Sequence, residues 1–217
     1  MKRIEQMRLK SGMTVGELAE EMRRAGVIGA GRVGRAVEIV AEMFSDPDYL
    51  TFITLSGPLV PSGMRLIFRD LIMEGYVDAV VSNGANLVHD IVEAIGRRHL
   101  VGELNVDDQV LLEKGINRAY DIFIKSDTWA ALEEYIGGVL DNIPEEGRVG
   151  IPIHGLIREI GLSIEDDGSI LRAATRKGVP IFSPGFLDSM IGIPLWMYSK
   201  RKKLVINPIK DFDLLGE

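Results

Sequence analysis

Three stretches of small and polar residues in this sequence have the composition of ligand-binding loops. They are Ser56 to Gly63, Asn83 to Asn86 and Ser183 to Gly192, and each follows a short apolar run. Small side chains let a ligand approach the backbone, and free N–H groups at the start of a helix bind anions such as a dinucleotide pyrophosphate. The stretches therefore indicate a dinucleotide crevice, with ordinary strand-to-helix turns as the alternative.

Polar side chains in the first and third stretches suit a nucleotide. Ser56 and Ser62, beside Gly57 and Gly63, can hydrogen-bond a phosphate or a ribose; a stiff turn without a ligand is the alternative. Asp188 is the acid favoured for the site, because a carboxylate beside such a crevice can accept hydrogen bonds from both ribose hydroxyls of NAD. Its alternative role is to cap the helix that follows.

The second stretch is the one around which the other elements are arranged. Val77 to Val81 is an apolar, β-branched run, typical of a strand buried in a parallel sheet, and apolar residues recur at helical spacing from Leu87 to Ile95. Ligands of open α/β sheets bind at the carboxyl ends of the strands. His89 and Asp90, early in this helix, are therefore expected to face the crevice.

Strands that alternate with helices predict an α/β fold with a mostly parallel sheet. Leu50 to Leu55 and Val179 to Phe182 are predicted strands, and right-handed crossovers place all three loops on one edge of the sheet. The other predictions are helices at Thr14 to Met22, Val33 to Phe44, Met64 to Met73, Thr128 to Leu140, Gly150 to Leu162, Ser169 to Gly178 and Asp211 to Leu215, and strands at Ile193 to Tyr198 and Leu204 to Ile206.

Gly29 to Gly34 matches the G-x-G-x-x-G fingerprint of dinucleotide-binding proteins, but its context does not. The fingerprint needs a buried strand before it and a helix after it. The preceding residues, Glu20 to Gly26, are charged and helical instead. The sequence therefore predicts a flexible connection into the helix that begins at Val33.

Composition and charge argue against several classes of protein. The 217 residues are 46% hydrophobic, with no apolar stretch of membrane-spanning length and no secretory signal, so a soluble cytoplasmic protein is expected. A net charge of -7 argues against a nucleic-acid surface. The sequence has no cysteine, and His154 has no partner at metal-ligand spacing, so neither disulfides nor a metal site are predicted.

Four segments, in order along the chain, resemble the deoxyhypusine synthase family in its archaeal-type form. They are Leu55 to Arg65, Val81 to Asp90, Gly115 to Arg118, and Ser169 to Ala174 continuing through Gly178 to Gly185, Asp188 and Gly192. The resemblance implies a Rossmann-like fold with helices on both faces of the sheet. It further implies an N-terminal helical extension at residues 1–48, an NAD-binding domain at residues 49–217, and a homotetramer with active sites at subunit interfaces.

The resemblance also implies an activity. In this family the aminobutyl group of spermidine moves to one lysine of the precursor of translation initiation factor 5A. NAD accepts a hydride from spermidine, the butyl group passes to an enzyme lysine and then to the protein substrate, and the retained NADH reduces it. The expected partners are therefore NAD, spermidine and the factor 5A precursor.

Carried over by position, the resemblance assigns site residues. NAD binding falls to Ser56, Gly57, Ser62, Gly63, Asn83, Gly84, Ala85, His89 and Asp188. Val88 and His89 stand where other members carry an acidic pair near the polyamine and nicotinamide, and Ile193 stands where many carry an aspartate. These three are the predicted substrate-binding positions, and their side chains depart from the family pattern.

The family's nucleophilic lysine lies in a Trp-Gly-Lys context that this sequence lacks. Neither Trp129 nor Trp196 is followed by Gly-Lys, so no catalytic residue is predicted within the chain. The lysine is expected beyond Glu217, in a longer form or on a separate C-terminal polypeptide. Two alternatives stay open: a homospermidine synthase-like enzyme, and a non-catalytic NAD-binding or regulatory relative.

Overall fold

A computed structural model describes Met1 and residues 3–216 of the chain. Its coordinates form two compact units, Met1–Thr51 and Phe52–Glu217. No helix in the described residues is both long enough and apolar enough to cross a lipid bilayer. The functional division into residues 1–48 and 49–217 stays a prediction.

The first unit is a pair of packed helices. α1 (Val15–Ala25) begins at a capping box, in which the Thr14 hydroxyl accepts a hydrogen bond from the Glu17 N–H and the Glu17 carboxylate accepts one from the Thr14 N–H. It ends at Gly26, whose φ of 72° is the left-handed conformation of a helix C-cap. α2 (Ile28–Ser45) then packs against α1.

The prediction of a flexible connection at Gly29 to Gly34 is wrong, because these residues form the first turns of α2. A Cβ on Gly31 would overlap the backbone of Gly26, and one on Gly34 would overlap the backbone of Arg23. Residues three apart share a helix face, so these glycines let the two helices approach closely. Among the described residues no strand precedes the motif, so it is not a dinucleotide fingerprint.

The second unit contains the strands and the other helices. The strands are β1 (Phe52–Leu55), β2 (Ala79–Ser82), β3 (Leu100–Val101), β4 (Ile116–Ala119), β5 (Ile122–Lys125), β6 (Val149–Ile151), β7 (Ile181–Phe182) and β8 (Val205–Ile206). The helices are α3 (Arg65–Met73), α4 (Gly84–Ala94), α5 (Asp108–Glu113), α6 (Thr128–Asn142), α7 (Ile153–Ser163), α8 (Ile170–Lys177), α9 (Gly192–Ser199) and α10 (Asp211–Leu215).

The α/β class is confirmed, but the described strands form three small sheets in place of one. β1, β2 and β7 make a parallel sheet with β2 in the centre, where Leu55 pairs with Ser82 and Val81 pairs with Phe182. β6 and β8 form a parallel pair, and β3, β5 and β4 form an antiparallel sheet. Pairing between distant segments depends on tertiary packing, which the local pattern does not specify.

Helices on the second unit build one hydrophobic core. α3 packs against α8, and α8 packs against α7. The core residues exposed by 1% or less include Ile72, Leu87, Ile91, Leu156, Ile160 and Leu171. Burying each such side chain contributes roughly 1.5 to 3 kcal/mol. The loops that follow β1, β2 and β7 are therefore held by a well-packed support.

Two predicted elements are wrong. Residues 150–162 are not one helix, because β6 ends at Ile151 and α7 begins only after Pro152, the residue at its N-cap. Residues 193–198 form most of α9 and not a strand. Periodicity alone does not distinguish a short apolar run in a strand from one in a helix. Here Leu195 and Tyr198, three residues apart, are both buried.

Candidate functional site

The ends of β1, β2 and β7 lie side by side on one edge of the parallel sheet. Leu55, Ser82 and Phe182 close the three strands, and the register places these ends next to one another. The Asn83 N–H donates to the Leu55 carbonyl at 3.2 Å, which joins the first two ends beyond the ladder. The prediction that the three loops open on one edge is confirmed.

The first loop, Ser56 to Gly63, presents an open backbone. Gly57 and Gly63 have φ values of 67° and 92°, and no atom lies within 4 Å of where either Cβ would be. These left-handed conformations favour glycine. Ser56 and Ser62 are exposed, and the Ser62 hydroxyl donates to the Leu59 carbonyl at 3.0 Å. The loop therefore offers glycine backbone and two hydroxyl oxygens to a ligand.

The start of α4 is tied to the first loop by asparagine side chains. Asn83 caps α4, because its Oδ1 accepts from the Asn86 N–H at 2.9 Å. Asn86 is 1% exposed, and its own Oδ1 accepts from the Val60 N–H at 3.1 Å. Ala85, between them, is exposed. The helix N-terminus is therefore fixed beside the first loop, in the orientation that suits an anion.

The third loop, which follows β7, reaches the same helix start. A Cβ on Gly84 would lie 2.5 Å from Ser189 Oγ and 2.9 Å from the Phe186 carbonyl oxygen, so only glycine permits this approach. Asp188, in the same turn, is exposed. Within the described part of the chain its carboxylate has no hydrogen-bond or ion-pair partner, which leaves it available to a ligand. The structure thus brings Gly84 and the loop that carries Asp188 together.

Two buried polar atoms at this edge lack a partner among the described residues. They are Nδ2 of Asn86 and Oγ of Ser183, the residue directly after β7. A buried donor without a partner is costly and calls for a bound group or water. Both atoms fit the hydrogen-bonding needs of a nucleotide at the edge. Both residues lie within the predicted loops, but nothing in the sequence distinguishes them, because an unsatisfied atom is visible only in three dimensions.

Asp90 does not face the crevice as predicted. Its carboxylate is fully buried and accepts from Arg65 Nε at 2.6 Å, from the Ser169 hydroxyl at 2.7 Å, and from the N–H groups of Ile170 and Leu171 at 3.1 and 2.9 Å. Burial opposes the charged guanidinium, but the neighbouring carboxylates outweigh it and raise the pKa of Arg65. Asp90 therefore anchors the N-terminus of α8 to α3 and α4.

His89 lies in a hydrogen-bonded row with two residues that the sequence analysis did not identify. Its Nδ1 is 2.8 Å from Nε2 of His99, and Nδ1 of His99 is 2.7 Å from Oε1 of Glu93. Burial, helped by the charge of His99, lowers the pKa of His89 to about 4. Burial works against ionised Glu93, but hydrogen bonds from His99 and Arg98 lower its pKa to about 2. The only sequence signal was the four-residue spacing of His89 and Glu93, which puts them on one helix face.

The sequence model of the deoxyhypusine synthase family matches residues 17–217. The chain belongs to the deoxyhypusine synthase family. The match includes all three loops and the row of His89, His99 and Glu93. The recognition made from the four sequence segments is therefore confirmed.

Archaeal members of the deoxyhypusine synthase family are similar over nearly the whole chain. The protein named probable deoxyhypusine synthase from Methanothermobacter thermautotrophicus is 41% identical over 99% of this chain and 69% of its own length. The relative with that name from Methanosarcina thermophila is 38% identical over 94% of this chain and 63% of its own length. The chain thus spans about two thirds of the length of these relatives.

A solved structure supports the fold of the family. A crystal structure assigned to a deoxyhypusine synthase from Entamoeba histolytica aligns with a TM-score of 0.66, over 98% of this chain and 73% of that one. The two sequences are 20% identical. At that level of identity the likeness concerns the fold and not the site residues.

The positions at which this chain departs from the deoxyhypusine synthase pattern differ in their surroundings. Val88 is 2% exposed and packs in the hydrophobic core, so its position does not support a polyamine contact. Ile193 is 51% exposed in the first turn of α9. His89 is partly buried and lies on the same helix face as Ala85. Of the three predicted substrate positions, His89 has the side chain best able to bind a polar ligand.

Proposed function

We propose that this chain binds NAD on the edge where β1, β2 and β7 end, in a Rossmann-like manner. The observation that carries the proposal is the meeting of three loops at the N-terminus of α4 in a member of the deoxyhypusine synthase family. Ligands of parallel α/β sheets bind at such an edge. The backbone at Gly57, Gly63, Gly84 and Ala85 would take the pyrophosphate.

Side chains around this edge would hold the rest of the cofactor. Asp188 would accept hydrogen bonds from ribose hydroxyls, as an exposed carboxylate without a protein partner among the described residues can do. Ser56, Ser62, Asn83 and His89 would add polar contacts. Bound NAD supplies a hydride acceptor. Asn86 and Ser183, whose buried donors lack partners among the described residues, join this set.

We further propose that the protein serves transfer of the aminobutyl group of spermidine to a lysine of the translation initiation factor 5A precursor. Membership in the deoxyhypusine synthase family supports this reaction. The proposed assembly is a homotetramer, with the nucleophilic lysine supplied by a further segment or a separate C-terminal polypeptide. A homospermidine synthase-like reaction would use the same site with a small amine as acceptor.

One observation favours a second candidate, a non-catalytic NAD-binding or regulatory relative. The residues at the predicted polyamine positions include Val88, which is buried in the core, and Ile193, which is apolar. Neither attracts a polycation. Spermidine turnover by a complete assembly would contradict this second candidate, whereas NAD binding is common to both.

NAD binding by purified protein, followed by calorimetry, tests the proposal. We expect Asp188→Asn to weaken binding about 10- to 100-fold, because a hydrogen bond to a charged group is worth about 1.5 to 3 kcal/mol. Asp121→Asn is the matched control, since Asp121 is also an exposed acid and lies in the turn between β4 and β5. Equal affinity of both variants, or no binding by the unchanged protein, would refute the NAD site.

A further inference from the structure

Glu93, His99 and His89 form a continuous hydrogen-bonded chain, here named the histidine relay. Oε1 of Glu93 accepts from the His99 N–H at 2.9 Å and lies 2.7 Å from Nδ1 of the same residue. Nε2 of His99 lies 2.8 Å from Nδ1 of His89. Arg98 donates to the other carboxylate oxygen of Glu93 at 2.9 Å. Every nitrogen along the relay, up to Nδ1 of His89, is therefore engaged.

The bonding pattern fixes where the protons lie. Glu93 is an acceptor only, so Nδ1 of His99 must carry a proton and donate it. When His99 is neutral, its Nε2 has a lone pair and must accept from Nδ1–H of His89. Neutral His89 then has its own lone pair on Nε2. The carboxylate thus selects, through His99, the tautomer of His89, as a carboxylate selects the tautomer of a histidine it touches directly.

The free nitrogen of the relay belongs to the face of α4 that is not packed in the core. Ala85, His89 and Glu93 are spaced by four residues and share one side of the helix, while Val88, Asp90 and other neighbours are buried. Nε2 of His89 has no hydrogen-bond partner among the described residues, and it is not one of the buried unpartnered atoms. Ala85 is in the first turn, so this face begins at the loop edge.

We propose that His89 is a catalytic proton acceptor for a bound amine and that His99 and Glu93 are its positioning residues. The inference rests on the proposed function, in which an amine is oxidised beside NAD. It assigns a role to a residue that stands where the family resemblance predicts an acid. A neutral imidazole with a fixed lone pair can take up a proton from an ammonium group, as an ionised carboxylate does, and pass it on.

The proton transfer balances within the relay. Nε2 of His89 takes a proton from the substrate ammonium, and the Nδ1 proton of His89 moves to Nε2 of His99. His89 stays neutral in its other tautomer, and the positive charge rests on His99 beside the Glu93 carboxylate. With the amine neutral, bound NAD would supply the acceptor for a hydride from the adjacent carbon, and the oxidised substrate would again carry one positive charge. Placing the charge on His99 puts it 2.7 Å from the Glu93 carboxylate and leaves the partly buried His89 neutral.

Nitrogen-15 NMR of the side chains tests the relay without reference to turnover. The sequence has 3 histidines, so single variants assign all imidazole signals. We expect His89 to carry its proton on Nδ1 at neutral pH. In His99→Gln, His89 should become a mixture of tautomers, and its pKa should rise from about 4 toward the ordinary value of 6.5. A proton on Nε2 of His89 in the unchanged protein would overturn the inference.

His154→Gln is the matched control, because His154 also contacts a carboxylate, Asp211 at 3.0 Å, but lies outside the relay. It should leave the tautomer of His89 unchanged. A merely structural hydrogen bond would not respond to an amine, so the second readout is a titration of the NAD-loaded protein with spermidine. We expect the Nε2 signal of His89 to shift, and the signals of His154 to stay.

The outcomes separate this inference from the proposed function. If NAD binds but spermidine leaves the His89 signal unchanged, the relay has no catalytic role and the NAD site stands. If NAD does not bind, the proposed function fails and the catalytic role of His89 fails with it. The tautomer measurement then still decides whether Glu93 and His99 orient His89.

Discussion

Individual residues at the candidate site divide into those whose polar atoms hold the fold together and those with a polar atom free to bind a ligand. Asp90 and His89 are adjacent in sequence but lie on different faces of α4, because successive residues of a helix are about 100° apart. The Asp90 carboxylate joins three helices in the core, while His89 lies on the outer face. A titratable side chain near a crevice is therefore a site candidate only when its partners leave an atom free.

The partial burial of His89, which lowers its pKa, predicts a pH dependence of stability. Its pKa is about 4 in the folded protein and 6.5 ordinarily, so the unfolded chain binds more protons between these values and acid favours unfolding. We expect the free energy of unfolding to fall by on the order of 1 to 3 kcal/mol as the pH drops through this window. The neighbouring charges are His99 and Glu93.

Urea unfolding of His89→Gln and the unchanged protein, at pH values across the window, measures this contribution. The difference in free energy of unfolding between the two proteins should shrink as the pH falls, because only the unchanged protein has a histidine with a lowered pKa at position 89. His154→Gln should keep the pH dependence of the unchanged protein. If the free energy of unfolding depends on pH in the same way for His89→Gln and the unchanged protein, His89 has the same pKa in the folded and unfolded states, which would contradict the prediction.

At the scale of elements, glycines decide how closely two segments approach. Gly84 allows the turn after β7 to contact the start of α4, and Gly31 and Gly34 allow α2 to approach α1. A Cβ at these positions would meet backbone or a short side chain, which cannot move away cheaply. For Gly31 and Gly34, these contacts account for glycines that the G-x-G-x-x-G motif alone would assign to nucleotide binding.

The two helices of the first unit offer a matched pair of substitutions. Gly34→Ala places a methyl group against the Arg23 backbone and should destabilise the pair by roughly 1 to 3 kcal/mol. Gly29→Ala, in the same helix with no atom within 4 Å, should be neutral or stabilise by up to about 1 kcal/mol. Hydrogen exchange of α1 and α2 amides reports the difference. Equal protection in both variants would contradict the close packing of these helices.

At the scale of the whole molecule, the chain has the edge at which we propose NAD binding, but its 217 residues include no lysine in the Trp-Gly-Lys context that the family resemblance predicts. The three loops meet on one edge, yet neither Trp129 nor Trp196 precedes the Gly-Lys pair that the family resemblance predicts. The chain spans about two thirds of the length of its archaeal relatives. Whether the 217-residue polypeptide catalyses the complete transfer reaction is therefore a question for a direct assay.

We expect the purified 217-residue polypeptide to transfer no aminobutyl group to the factor 5A precursor in the presence of NAD and spermidine. The reason is that the sequence has no lysine in the Trp-Gly-Lys context, and that Lys202 and Lys203, among the lysines that the structure describes, pair with the carboxylates of Asp141 and Glu145. The mass of the acceptor protein provides the measurement. Activity should appear when a polypeptide with the Trp-Gly-Lys segment is added, and transfer by the polypeptide alone would contradict the expectation.

The amino-acid pattern alone determined β1, β2, β7 and β8, most helices and the shared edge of the three loops. Apolar runs such as Val77 to Val81 and helix caps such as Thr14 act on neighbouring residues, so they can be recognised in the sequence alone. Crossover connections between parallel strands are almost always right-handed, and this rule predicts that the three loops lie on one edge of the sheet. The family followed from four segments in order, and its sequence model confirms it.

Only the tertiary structure decided the roles of residues that depend on partners far along the chain. Asp90 accepts a hydrogen bond from Ser169, which is 79 residues away, and His89 contacts His99, which lies beyond the end of its helix. The division of the strands into three sheets and the helical state of Gly29 to Gly34 have the same origin. Such contacts depend on how elements pack, and packing of distant segments overrides the preferences that a local pattern expresses.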